Sequence, residues 1–264
     1  MVVGMKTVLR QFWALIRLAF TELWRRNDVF GLLILALALM VPLSLATPFG
    51  ASGASRYLDE VALLLIWGFS LFVALGTGAR LFPPEFESRT IYPLLAKPIS
   101  RGRLLVGKYF GAVAATWSAL ALFYALFALS VAFRGGVALT PDFAQAIALH
   151  AAFAALAVAL SLLGSLLVTT SANLTLNGIL LVAMFFFGRR LPELADAAAA
   201  PASWLVKAAY VLAPHAEFFD MRQRVIHGWG TVDGAAFAAV LCYAAVYVTA
   251  VLATAALVLG RRRV

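Results

Sequence analysis

Charge is the scarcest property of this sequence. Asp, Glu, Lys and Arg make up 12% of its 264 residues, where soluble domains carry about 25%. So few ionic groups cannot cover a water-facing surface, and the apolar surplus (64% of residues, mean hydropathy +0.95) must face lipid. Cysteine is almost missing as well. Cys242 stands alone, which excludes a disulfide framework and a cysteine-based metal site. The three histidines, His150, His215 and His227, have no i, i+4 pairing, whereas zinc and copper sites need clustered ligands. His150, near the outer end of an apolar run, reads as a capping or interfacial residue. No acid or base stands in the central part of any long apolar run. That speaks against ion-coupled carriers and pumps, and against membrane-embedded enzymes built on acid–base pairs or metals. A Gly-x-x-x-x-Gly-Lys-Ser/Thr stretch is missing too, so the chain has no phosphate-cradling loop for ATP. Its start lacks a short apolar core with a small-residue cleavage site, and no cleavable signal is expected.

What the chain does have is apolar length. A membrane core about 30 Å thick takes roughly 20 apolar residues of helix. Six blocks approach or exceed that length: Val29–Pro48, Val61–Phe82, Tyr109–Phe133, Phe143–Thr170, Leu174–Gly188 and Ala235–Gly260. The fifth is short and follows the fourth across Ser171-Ala172-Asn173, so the pair reads as a tight helical hairpin. Thr169, Thr170, Asn173, Thr175 and Asn177 are expected to satisfy that turn. The expected fold is all-α: one transmembrane domain over 1–264, polytopic, with six transmembrane helices.

Charge sorted by loop tests that topology. Fourteen basic residues against four acids fall on one side, and seven against eight on the other, together returning the net +9. Basic residues near span ends stay in the cytoplasm, so both termini are expected inside and the segment 189–234 outside. The basic excess is thus a signal of topology, and nucleic acid is not an expected partner.

Ahead of the first span, residues 5–26 place Lys6, Arg10, Arg17 and Arg25 on one half of a helical wheel. Phe12, Trp13, Ile16 and Phe20 fall on the other. This describes a helix lying in the inner headgroup region; a solvated start to the first span is the plainer alternative. The outer segment 189–234 carries Pro192, Pro201 and Pro214 around the apolar stretch Trp204–Leu212. That stretch is too short to span, and reads as an interfacial, re-entrant or plain surface helix. Gly107-x-x-x-Gly111 and Ser161-x-x-x-Ser165 offer small residues four apart, which let helices approach closely.

The cytoplasmic segment 83–107 holds the densest run of polar and special residues. Prolines at 83, 84, 93 and 98 leave room only for short helices. Glu85, Glu87, Arg89, Lys97 and Arg101 mix both charge signs around an apolar patch of Leu94, Leu95 and Ile99. Such a mixture on a stiff loop suits docking to another protein. In order and spacing, Glu85, Glu87, Thr90-Ile91, Leu94-Leu95, Lys97-Pro98-Ile99-Ser100-Arg101 and Gly107-Lys108 resemble the first cytoplasmic loop of ABC-2 type exporter permeases. Many members have Gly before the Thr where this chain has Arg89, a departure that bears on the local turn.

The resemblance implies a transport subunit with no cofactor of its own and no enzymatic site, in the cytoplasmic (inner) membrane. ATP and Mg would be bound by a separate ABC ATPase docked on this loop. Glu85, Glu87, Arg89, Thr90, Leu94, Leu95, Lys97, Pro98 and Arg101 would then form the coupling surface. The working unit would pair two permeases, the second a copy or a homologue, with two ATPases. A non-transporting scaffold or regulator that anchors an ATPase is the alternative, and a membrane-embedded enzyme a more distant one.

Overall fold

The computed structural model describes residues 54–87, 100–136, 139–197 and 199–261, together with isolated positions between 10 and 38. Among these residues the secondary structure is entirely helical. Five helical stretches are long and apolar enough to cross a membrane: Arg56–Phe86, Arg101–Phe133, Pro141–Leu167, Thr170–Ala197 and Gly234–Arg261. The chain is a polytopic all-α membrane protein. The expected first span, Val29–Pro48, lies almost wholly outside the described residues, although positions 31, 34, 35 and 38 are helical. Of the expected interfacial helix, the described positions from 10 to 21 are helical too, with Trp13 and Leu18 exposed.

Helix α1 (Ala54–Ala79) ends where Pro83 and Pro84 withhold the N–H groups that Ala79 and Arg80 would need. The chain turns through 80–82 and restarts as α2 (Pro83–Glu87), with proline tolerated in a first turn. Helix α3 (Arg101–Phe133) begins at Ser100, whose hydroxyl accepts from Arg103 N at 3.4 Å. It thus starts eight residues before the expected span: the Ser100 cap and the helix formers Arg101, Arg103, Leu104, Leu105 and Lys108 extend it beyond the apolar block despite Gly102 and Gly107. It stops at Arg134 and Gly135, where φ of 77° needs glycine and Gly136 N returns to Val131 O at 3.0 Å.

Helices α4 (Pro141–Leu167) and α5 (Thr170–Phe187) form the expected hairpin, but its turn falls at Val168 and Thr169. Ser171, Ala172 and Asn173 belong to the first turn of α5. Thr169 moves the boundary by capping that turn, its hydroxyl accepting from Ala172 N at 3.5 Å. A 3-10 turn (Gly188–Arg190) and α6 (Leu191–Ala197) carry this helical run onward. Helix α7 (Ala202–Leu212) has no buried residue and leaves Trp204, Leu205, Val211 and Leu212 exposed. A second 3-10 turn (Ala216–Phe219), α8 (Arg222–His227) and α9 (Gly234–Arg261) complete the chain.

Helices α1, α3 and α4 form the centre, with α4 packed on α1, α3, α5 and α9. Two apolar clusters fill it. One holds Leu63, Ile66, Phe123, Phe127 and Phe143 toward the end that carries Asp59 and Arg134, and the other runs from Phe153 and Phe219 down to Phe82. The segment between α5 and α9 folds back into this bundle: Ala216, Glu217, Phe219 and Met221 are all buried. Gln145 fastens it by a reciprocal pair, donating to Val232 O at 3.2 Å and accepting from Val232 N at 2.8 Å.

Candidate functional site

The end of the bundle where α2 meets the first turns of α3 is organised around Lys108, which the sequence presents only as the close of the Gly107-Lys108 element of the loop pattern. Its ammonium donates to Leu81 O at 2.5 Å, pairs with Glu85 Oε1 at 2.6 Å and lies 4.7 Å from the centre of the Phe82 ring. The Lys108 and Glu85 side chains are 9% and 18% exposed, so the contact is largely shielded from water. Leu81 O lies in the proline-broken turn, where no N–H from two proline residues competes for nearby carbonyls. One cation therefore fastens the end of α1 and the whole of α2 to the first turns of α3. A lysine following Gly107 in the first turns of a spanning helix, facing a carboxylate across a Pro-Pro break, was the available signal.

Of the residues expected to form the coupling surface, Glu85, Glu87 and Arg101 are described; Arg89, Thr90, Leu94, Leu95, Lys97 and Pro98 lie outside the described residues. Glu85 faces inward to Lys108. Arg101 reaches across the molecule, donating from Nη1 to Leu259 O at 2.9 Å and Gly260 O at 3.1 Å. A guanidinium on these carbonyls satisfies orphan acceptors and the negative pole at the end of α9. Lys108 and Arg101 thus join α1, α2, α3 and α9 at the same end of the bundle.

The expected packing residues divide by role. Ser161 Oγ donates to Leu75 O at 2.7 Å, and Gly78 lies directly over it. A Cβ on Gly78 would stand 2.7 Å from Ser161 Cβ and 2.8 Å from Val158 O, so α1 and α4 touch almost backbone to backbone. Ser165 is buried but turns its hydroxyl to Leu162 O of its own helix. Gly107 and Gly111 are both buried on α3. Beside them stands a contact the spacing did not suggest: Asn173 Nδ2 donates to Ser161 O at 2.7 Å, and its Oδ1 would lie 2.0 Å from a Cβ on Gly164. Asn177 Nδ2 donates to Asn173 Oδ1 at 2.6 Å, locking the strut.

His150 corrects the expectation of a capping or interfacial residue. It is fully buried between α1, α3 and α4, stacked 4.3 Å from Trp67. Its Nε2 is 2.7 Å from Ser70 Oγ and its Nδ1 2.8 Å from Tyr124 OH. The pattern Phe143, Ala146, His150, Phe153, Ala157 keeps one face of α4 buried, and this 3,4 spacing was the signal that placed His150 inside.

A serine beside a histidine invites comparison with a nucleophile and its base. The hydrogen bonds oppose it. Ser70 Oγ also lies 3.0 Å from Trp67 O, which takes its proton, so Ser70 accepts from Nε2–H and Nδ1 accepts from Tyr124. The histidine carries a proton where a base would need a lone pair, and both side chains are closed to solvent. This cluster is a satisfied polar core element.

The geometry is therefore that of a multi-span bundle with a fastened connector between α1 and α3 and a folded segment between α5 and α9. No curated protein matches the chain. Residues 43–262, reaching from ahead of α1 to the end of α9, match the family described as ABC-2 family transporter protein; the chain belongs to that family, as a permease subunit of an ABC transporter.

Proposed function

We propose that this permease works in an ATP-driven exporter, with a separate ABC ATPase docked on the cytoplasmic segment 83–107. The supporting observation is the Lys108 node. A force applied to α2 passes through Glu85 and Leu81 into both α1 and α3, since one ammonium holds all three. Movement of an ATPase is thereby converted into tilt of two spans. Arg89, Thr90, Leu94, Leu95, Lys97 and Pro98 supply the ATPase contact, while Glu85 and Arg101 transmit through the bundle. ATP and Mg are held by the partner, because this sequence has no phosphate-cradling loop. Two permeases and two ATPases form the unit, in the cytoplasmic membrane with both termini inside.

The test is co-purification of the tagged chain with proteins encoded beside it, followed by an ATPase assay. The expected result is recovery of an ATPase that is lost when Arg89 and Lys97 are changed to Glu. A chain that purifies alone in mild detergent, with a neighbouring ATPase expressed but not retained, overturns the reading.

A further inference from the structure

The outer side holds a cavity of about 860 Å³ bounded by the end of α5, the segment 210–232 and the start of α9. That size falls within the range of about 300–1,000 Å³ usual for small-molecule sites. Its walls combine Arg189, Arg222 and Arg224 with Phe185, Trp229 and Phe237. The two acids at this site are already committed. Asp220 takes Arg222 in a two-pronged contact, Oδ1 to Nε at 2.9 Å and Oδ2 to Nη2 at 3.1 Å. Arg222 in turn lies 4.9 Å from the Phe185 ring centre. Glu217 turns one oxygen to His215 Nδ1 at 3.2 Å, and its other is sealed from solvent against Gly188. Arg189 and Arg224 are left without a side-chain partner among the described residues.

Two unpaired guanidiniums beside an aromatic wall make a site with one chemical preference. The arginine fork matches phosphate or carboxylate oxygens in two-pronged geometry. The rings offer a flat apolar surface to whatever carries that anion. Position adds weight, because basic residues near the outer ends of spans run against the usual charge distribution. Three of the seven basic residues on the expected outer side (Arg189, Arg222 and Arg224) nonetheless line this one hollow.

We propose that this cavity binds an amphipathic anion, a phosphate or carboxylate headgroup on an apolar body, through Arg189 and Arg224. The assignment rests on the permease reading for its consequence: the anion is either cargo leaving the transporter or a lipid of the outer leaflet.

The first measurement is calorimetric titration of the full chain, in a neutral maltoside detergent, with dodecyl phosphate. Dodecylphosphocholine, which has the same chain and no net charge, is the control. Dodecyl phosphate should bind about tenfold more tightly or better. Binding should weaken at least about tenfold between roughly 50 mM and 0.5 M salt. Arg189→Gln with Arg224→Gln should remove the preference, Arg189→Lys with Arg224→Lys should keep much of it, and Arg190→Gln, outside the cavity, should leave it intact. Equal binding of the two amphiphiles, salt-independent binding, or an unchanged glutamine variant overturns the proposal. The salt arm uses the unaltered chain, so it can refute the anion site even if the glutamine variant fails to fold.

The two sources separate in nanodiscs. The fluorescence assigned to Trp229, by difference from Trp229→Phe, is quenched by brominated phosphatidylglycerol and not by brominated phosphatidylcholine if the bilayer supplies the anion. If dodecyl phosphate binds and neither lipid quenches, the anion arrives as cargo. Neither readout involves the ATPase. A failed titration with an ATPase still recovered removes this site alone, and the converse result removes the ATPase-docking reading alone.

Discussion

At position 78 a methyl group has nowhere to go. Gly78 faces the backbone carbonyl of Val158 and the Cβ of Ser161 at distances no side chain can yield to. Gly76, two residues earlier on the same helix, meets nothing within 4 Å. Gly78→Ala is therefore expected to force α1 and α4 apart, at a cost of about 1–3 kcal/mol. Gly76→Ala should stay within about 0.5 kcal/mol of the parent. Thermal unfolding in one detergent compares them, and equal midpoints would refute the close contact. Ser161 was legible as a packing residue because small residues four apart are a known device, but its partner was not. Spacing along one helix says which face is small; it says nothing of which glycine comes to rest there. The same limit hid Tyr124 and Ser70, since each meets His150 only once three helices are assembled.

Among the elements, α2 is the one whose five residues depend most on a single partner. Removing Lys108 as Met strands the largely buried Glu85, whose Oε2 already lacks a hydrogen bond among the described residues. Breaking one side of a buried pair costs about 3–5 kcal/mol, and the partial exposure of Glu85 puts the expected loss at the low end. Glu85→Gln with Lys108→Met should be more stable than Lys108→Met alone, because no unpaired charge remains. A double-mutant cycle on unfolding midpoints measures that coupling, and strictly additive effects would remove the node. In the assembled transporter the single variant should also lower transport per ATP hydrolysed more than it lowers hydrolysis. The long helices were legible because lipid demands apolar length and little else. Their ends were less so, since Ser100 starts α3 among charged residues and Thr169 starts α5 early. The fold-back of Ala216–Phe219 had no such signal, as burial there comes from Phe153 and Tyr243 on distant helices.

Along α1 and α3 the charged ties stand at two levels, and the polar contacts between them are the neutral ones around His150 and Ser161. At one level stand Glu85–Lys108 and Arg101 on the end of α9. At the other stand Arg134 with Asp59, Gln223 with Glu60 and Gln145 with Val232. On α3 the stretch from Lys108 to Arg134 carries no charge, and at about 1.5 Å per residue it spans roughly 39 Å. That covers a hydrocarbon core of about 30 Å with its interfaces. The Lys108 level belongs to the side with fourteen basic residues against four acids, and anionic inner-leaflet lipids favour each such residue by about 1 kcal/mol. The inner level should therefore face the cytoplasm. Cys242, the sole cysteine, can be replaced by Ala, and new cysteines placed singly at the exposed Arg103 and Ala199. In right-side-out vesicles an impermeant maleimide should label the Ala199→Cys protein and spare Arg103→Cys. Inside-out vesicles should reverse the pattern. The opposite result would invert the orientation and turn the arginine-lined cavity toward the cytoplasm. Labelling of both positions from one side would contradict the odd number of spans, α3, α4 and α5, that separates them.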